Sequence, residues 1–345
     1  MKRITQNDVA KKVGISRSTV QRALNNSGPV EEEIHKKILE AAKELGYKVN
    51  LAAKQLAQKK PLNLHAFLVK PQNYHIHELF KTGFTKAVSE KDYNVSLNIT
   101  ETPSDNAIEQ KKSIEHILLT YPDLDGIILH PIHHYILNDE LKKIRKLNIP
   151  LISLDSDVGG DNRLAFIGEN YYKGGRILGD LLTKILQEGT NVITISPDNE
   201  FEVFQNRLKG FSDIINKNEG FYITHHLKVN SISNAYHNTV NILKKNRNIK
   251  GIFTTINIEA VAQALIHSGR KDIFLCGFDL NDQISELIKK DIINIALFQR
   301  PKLQGYIAAK TLLNYLVSNE IKRKEVFVGY DIVTKENLDI KTEIM

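Results

Sequence analysis

MKRITQNDVAKKVGISRSTVQRALNN, residues 1–26, reads as two short helices joined by a tight turn. Thr5 is placed to cap the first helix, with Asp8 three residues on as its capping-box partner. Val9, Ala10 and Val13 put an apolar stripe on one face, and Gly14 supplies a turn residue that tolerates the left-handed region. Ser16 restarts a helix whose Val20, Ala23 and Leu24 face inward. Its other face carries Arg17, Ser18, Gln21 and Arg22, donors able to reach base edges in a major groove. The pattern is a helix-turn-helix with a polar reading helix.

A third helix follows in EEEIHKKILEAAKELGY, where Ile34, Ile38, Ala41, Ala42 and Leu45 recur at helical spacing and Gly46 is a good terminator. Next comes NLAAKQLAQKK, residues 50–60, rich in helix formers. A piece of about nine residues falls short of the roughly 12–15 needed for a stable isolated helix, so it is not expected to be ordered on its own.

Charge separates this head from the rest. The chain of 345 residues has a formal charge of +7. Residues 1–60 hold 13 lysines and arginines against 6 aspartates and glutamates, and the remainder holds 34 of each sign. The whole surplus therefore sits on the head, the footprint expected for phosphate contact. The single cysteine, Cys276, excludes a disulfide framework and suits a reducing cytoplasm. No apolar run long enough for a membrane span and no signal-like leader is found, so a cytoplasmic protein is expected.

From Leu64 onward short apolar runs alternate with amphipathic stretches. Strands are expected at 65–69, 93–99, 126–130, 151–155, 191–196, 251–255, 273–278 and 293–298. Helices are expected at 79–91, 105–120, 138–147, 171–188, 205–218, 234–246, 258–268 and 302–317. Continuous apolar strands between helices argue for parallel sheets covered on both faces.

On these residues the chain resembles the LacI/GalR family of transcription regulators. Two departures stand out: three glutamates begin the third helix where the family usually has Ser, Thr or Asn, and Val49 replaces the usual proline before Asn50. The glutamates suit the positive end of the helix dipole. The resemblance implies an all-α helix-turn-helix DNA-binding head (1–48) joined by a hinge helix (49–61) to an α/β two-lobe, type I periplasmic-binding-protein-like domain (62–345). Lobe 1 is expected at about 62–162 and 295–325, lobe 2 at about 163–294 and 326–340. Arg17, Ser18 and Arg22 are expected to read bases with Gln21 on the same face, Thr5, Ser16 and Thr19 to reach phosphates, and Lys54 to support the hinge contact; Asn25, Asn50 and Ala53 are further DNA-binding candidates. Leu56 is the expected wedge into the minor groove; an ordinary core leucine is the bland alternative.

Open parallel sheets bind ligands outside the carboxyl ends of their strands. Asp155, Asn170, Asn257, Asp279 and Gln299 follow strands there, and Arg207 lies one turn into a following helix. Each matches a sugar-contacting position of the similar ribose-type binding proteins. Carboxylates accept from hydroxyls, Arg donates, and Asn and Gln do both. Phe298, Tyr74, Phe80 and Phe278 offer apolar faces, with Asp157, Ser156, Gln72 and His130 of second rank. Ser156 stands where the ribose binders have Arg, which argues against ribose itself. The bland reading makes Asp155 and Asp279 turn formers and Asn170 a helix cap.

Histidine pairs occur at 75/77, 133/134 and 225/226 without a completing cluster, so no metal is expected. No G-x-G-x-x-G, P-loop or G-x-S-x-G occurs, so no cofactor and no enzyme are expected. The leading expectation is a dimeric repressor of a near-palindromic operator, controlled by a small carbohydrate. The ending VTKENLDIKTEIM lacks the leucine-rich run of tetrameric relatives. A corepressor-dependent regulator or activator is the alternative; a solute-binding protein fits the body but not the basic head.

Overall fold

Thr5 begins α1 (Gln6–Val13) by donating its backbone N–H to Asp8 Oδ2 at 2.8 Å. The helix ends at Gly14, whose φ of 73° allows its N–H to reach the Ala10 carbonyl. Ser16 starts α2 (Arg17–Asn25) by accepting the Thr19 N–H at 3.2 Å. α3 (Glu32–Glu44) has Glu32 and Glu33 in its first turn. Val9, Ala10, Val20, Ala23, Ile38, Ala41 and Ala42 form the core of these three helices. The structure is a computed structural model that describes residues 5–25, 28–45, 61–70, 76–90, 94–103, 106–198 and 201–338.

Beyond the head stand two six-stranded sheets. The first contains β1 (Leu62–Lys70), β2 (Val95–Pro103), β3 (Gly126–Leu129), β4 (Leu151–Asp155), β5 (Ala165–Gly168) and β11 (Glu325–Phe327), ordered β11-β5-β4-β3-β1-β2. One face packs on α4 (Ile76–Val88) and α12 (Pro301–Ser318), the other on α5 (Ala107–Thr120) and α6 (Asn138–Lys146). The second contains β6 (Thr190–Pro197), β7 (Phe221–Val229), β8 (Ile249–Thr254), β9 (Phe274–Phe278), β10 (Ile295–Phe298) and β12 (Asp331–Val333), ordered β12-β10-β9-β8-β6-β7. α7 (Tyr171–Ile185) and α8 (Glu202–Ile215) cover one face. α9 (Ile232–Lys245), α10 (Ile258–His267) and α11 (Asp282–Lys289) cover the other. All pairings are parallel except β10 with β12.

The expected lobe limits need correction. β5 pairs with β4, so lobe 1 runs past 162; β10 pairs with β9, so lobe 2 runs past 294. The last crossing lies between β11 and β12, after Phe327. Hydrophobic runs announce strands, but sheet membership depends on which edge each strand meets. Two longer elements were absent from the sequence reading. β7 is an edge strand with alternating exposure, lacking the continuous apolar run of its neighbours, and α11 has only eight residues. His225 and His226 lie on β7, as neighbours on opposite faces; His133 and His134 instead begin a 3-10 turn, His134–Leu137.

Each lobe contains a helix crossing that admits no side chain at its closest point. A Cβ on Gly175 of α7 would lie 1.9 Å from the Arg207 carbonyl oxygen, and one on Gly210 of α8 lies 2.0 Å from that of Tyr172. In lobe 1, Gly83 of α4 meets the Lys302 carbonyl at 2.1 Å and Gly305 of α12 that of Phe80 at 2.5 Å.

His65 makes β1 sensitive to acid. Its ring is 3% exposed, shares a 2.8 Å hydrogen bond with Thr100 Oγ1, and is pushed by burial from the usual 6.5 down to about 4. The depressed value gives stability that is full above the unfolded pKa and is lost as pH falls from 6.5 through 4. At about 1.4 kcal/mol per unit the loss approaches about 3 kcal/mol. Urea unfolding of His65→Gln at pH 7 and pH 4.5 is expected to show a correspondingly flatter pH dependence than the parent; an unchanged slope excludes His65 as the source.

Candidate functional site

The carboxyl ends of the two sheets face each other, and the polar residues at those ends interact across the gap. From lobe 1 come Asp155 at the end of β4 and Glu169 directly after β5; from lobe 2 come Asp279 after β9 and Gln299 after β10. Arg207, one turn into α8, joins them. Asp155, Asn257, Asp279 and Arg300 all adopt left-handed φ, from 55° to 77°. Strained backbone of this kind gathers where function constrains the chain, and Asp and Asn bear it better than most residues.

Arg207 is the centre. It is 4% exposed, and its guanidinium carbon lies 3.8 Å from the centroid of the Phe278 ring. It donates to Glu169 Oε1 and, at 3.4 Å, to the Thr255 carbonyl. Phe278 is thus the platform for Arg207. Burial pushes the Glu169 carboxyl up to about 7 although Arg207 pulls it down. Burial likewise raises Asp279, against the pull of Arg207. Gln299 donates to Asp279 Oδ1 at 2.6 Å, and Gln304 fixes Gln299 by donating to its carbonyl at 2.9 Å. His130 Nε2 lies 3.3 Å from Asp155 Oδ2. Tyr171 donates to the Asp155 carbonyl, and Tyr330 to that of Asn170 at 3.0 Å.

Asp155, Arg207, Asp279 and Gln299 therefore converge. Asn170 and Asn257 stand at the starts of α7 and α10; Asn170 caps its helix by accepting the Lys173 N–H at 2.9 Å, whereas Asn257 makes no such bond. Phe80 is buried in the first core with its edge towards His130, ring centroids 5.6 Å apart. The Phe298 ring is packed among core residues such as Ile284 and Val333, so it is a core side chain, contrary to the expected apolar platform. Asp157 is held by Arg163 at 2.5 Å. Tyr74 and Gln72 lie outside the described residues. Glu169 was missed because the sequence reading passed one residue too far, to Asn170; its place immediately after the FIG strand was the available signal.

The head presents a second face. Arg17, Ser18, Gln21 and Arg22 are exposed on α2, opposite the buried Val20 and Ala23. Thr5 and Ser16 serve as helix starts, and Ser16 Oγ lies 2.9 Å from Thr19 Oγ1. Asn50, Ala53, Lys54 and Leu56 lie outside the described residues, as does the side chain of Asn25. Among the described residues one group offers metal-ligand atoms within 4.8 Å of one another, His77, Glu78 and Glu101. The Lys81 ammonium sits among them, 2.7 Å from Glu78 and 2.6 Å from Glu101. No helix of the described residues is long and apolar enough to cross a membrane.

The family model for bacterial regulatory proteins of the lacI family matches residues 5–50, and that for a periplasmic binding protein domain matches residues 65–320. The chain is 29% identical over 231 residues to the probable HTH-type transcriptional repressor ExuR of Bacillus subtilis, covering 66% of this chain and 62% of that one. It is 24% identical over 344 residues to the HTH-type transcriptional regulator RegA of Clostridium saccharobutylicum, covering 96% and 98%. In fold it is similar to the periplasmic ribose ABC transporter protein of Conexibacter woesei, with a TM-score of 0.74, 16% identity, and coverage of 82% and 95%. A helix-turn-helix match at the head and a binding-domain match over most of the body thus agree with the two architectures seen: the head is a lacI-family helix-turn-helix domain, and the body belongs to the periplasmic binding protein domain family.

Proposed function

We propose that the protein is a transcriptional repressor whose grip on operator DNA is controlled by a carbohydrate bound between its lobes. The exposed polar face of α2, on a head and hinge segment (residues 1–60) that together hold the chain's entire positive surplus, carries this reading. Two copies would set their reading helices in successive major grooves of a near-palindromic site. Arg17, Ser18 and Arg22 would read bases with Gln21 on the same face, while Thr5, Ser16 and Thr19 would reach phosphates; Asn25 is a further DNA-binding candidate. Leu56 would enter the minor groove between the two major grooves with Ala53 close beside it, Lys54 would support that contact, and Asn50 is a further DNA-binding candidate.

Asp155, Glu169, Arg207, Asp279 and Gln299 would hold the effector, with Asn257, Asn170, Tyr74 and Phe80 at the margins. This buried mixture of acceptors and one forked donor suits hydroxyls. Because the residues come from both sheets, a ligand bridging them favours one lobe angle over others, and that preference is what couples it to the head. Among the described residues of the cleft no nucleophile is paired with a base, which favours a sensor over an enzyme.

Anisotropy titration of an operator duplex tests the reading. Arg22→Ala is expected to weaken binding by about 1–3 kcal/mol and relax preference at one base pair. The cognate sugar is expected to weaken the parent complex, as an inducer; a tighter complex makes it a corepressor. Equal affinity for operator and random duplex at physiological salt overturns the proposal.

A further inference from the structure

The cleft holds an imbalance of charge and of hydrogen-bonding capacity. One guanidinium, Arg207, faces the carboxylates of Glu169 and Asp279; Asp155 lies close to both of these acids, with His130 beside it, and Glu259 adds a fourth acid close to Asp279. The neighbouring arginines are already engaged: Arg300 with Asp331, and Arg163 with Asp157 and Glu325. Among the described residues Glu259 accepts an amide N–H, from Asn281, at 2.8 Å.

The unmet groups are equally lopsided. Among the described residues Glu169 Oε2 and Gln299 Oε1 are buried acceptors with no hydrogen-bond partner within 3.5 Å, the Tyr330 hydroxyl being the neighbour of Glu169, and Arg207 Nε is a buried donor with none. Their residues are 1%, 3% and 4% exposed. Buried polar atoms are seldom left unpaired in a finished site, so these three mark where a ligand supplies partners. Two acceptors to one donor call for a ligand that donates at least as often as it accepts.

Building on the carbohydrate-controlled reading above, we infer that the effector is an uncharged polyhydroxylated ring, and that sugar acids and sugar phosphates are excluded. A hydroxyl both donates and accepts, so a polyol can satisfy Glu169 Oε2, Gln299 Oε1 and Arg207 Nε together. An ionised carboxylate or phosphate offers acceptors alone. It satisfies Arg207 Nε and leaves the buried acceptors facing another anion, in a place where charges are weakly screened. Arg207 cannot compensate, because its charge is already committed to Glu169.

The test is calorimetric titration of the full chain, after a thermal-shift screen, with matched pairs. D-glucose is set against D-glucuronate and D-glucose 6-phosphate, D-galactose against D-galacturonate, and pentoses are added. At least one uncharged sugar is expected to bind, with its acidic counterpart at least about a hundredfold weaker. In Glu169→Gln/Asp279→Asn, which removes both negative charges and leaves one accepting oxygen on each side chain, the handicap of the acid is expected to shrink at least about tenfold. A uronate or phosphate that binds as tightly as its neutral parent overturns the inference while leaving carbohydrate control intact. An unchanged ratio in a folded double variant also overturns it. If no sugar in the panel binds, the carbohydrate reading falls and takes this inference with it.

Discussion

Replacing Arg207 by methionine is expected to lower stability by about 3–5 kcal/mol, the usual cost of removing one partner from a buried ion pair. Glu169 is 1% exposed and loses its ionic partner, while Asp279 loses the charge that draws it down. Methionine keeps contact with Phe278, so the loss reports charge more than volume. Glu169→Gln in the same chain removes the stranded charge and is expected to recover most of the loss. The pH dependence has a definite sign. Glu169 already titrates high in the folded state, near 7, and a raised carboxyl gives stability that is present below its unfolded pKa and lost as pH rises. Without the Arg207 pull the loss extends further upward, so the gap between parent and variant widens from pH 6 to pH 8. Sugar affinity falls about 10- to 100-fold through the missing charge-assisted donor. Urea unfolding at the two pH values, with titration of the sugar that binds the parent, checks both parts. A variant as stable as the parent at pH 8 contradicts the account.

Gly175→Ala is expected to be nearly as damaging, although it adds a single methyl group. That carbon would sit 1.9 Å from the Arg207 carbonyl oxygen, and neither partner is a flexible side-chain tip. α7 and α8 must separate, breaking the packing of Leu178, Leu182, Phe211 and Ile215 between them and the sheet. Overpacking costs about 1–3 kcal/mol and more where backbone meets backbone, which outweighs the fraction of a kcal/mol that alanine contributes as a better helix former. The displaced atoms belong to Arg207 itself, so sugar affinity falls together with stability. Gly329→Ala is the control: no atom lies within 4 Å of its added Cβ, and a change within about 0.5 kcal/mol is expected. Thermal and urea unfolding of the two variants side by side decide the matter; equal stability of both shows that the crossing is loose.

Much of this was legible in the chain because the signals were local. The Thr5–Asp8 pair, Gly14, and the alternation of buried Val20 and Ala23 with exposed Arg17 and Arg22 concern residues within one or two turns of each other. Buried parallel strands such as GIIL and LISLD are continuous apolar runs that need no partner to be recognised. Asp155, Asp279, Gln299 and Arg207 were found by the rule that polar residues past strand ends face the cleft.

What composition and periodicity determined, then, is a basic three-helix reader attached to a neutral body of alternating strands and helices. Only the tertiary structure decided which sheet β5 and β10 join, that Phe298 belongs to the core while Phe278 supports Arg207, and that Glu169 is its ionic partner. The physical reason is distance along the chain. Propensity, capping and amphipathicity act over a few residues, whereas the joining of β5 to β4 and of β10 to β9, the pairing of Glu169 with Arg207 and the contact of Gly175 with the Arg207 carbonyl link residues beyond any single element, and depend on how the whole chain packs.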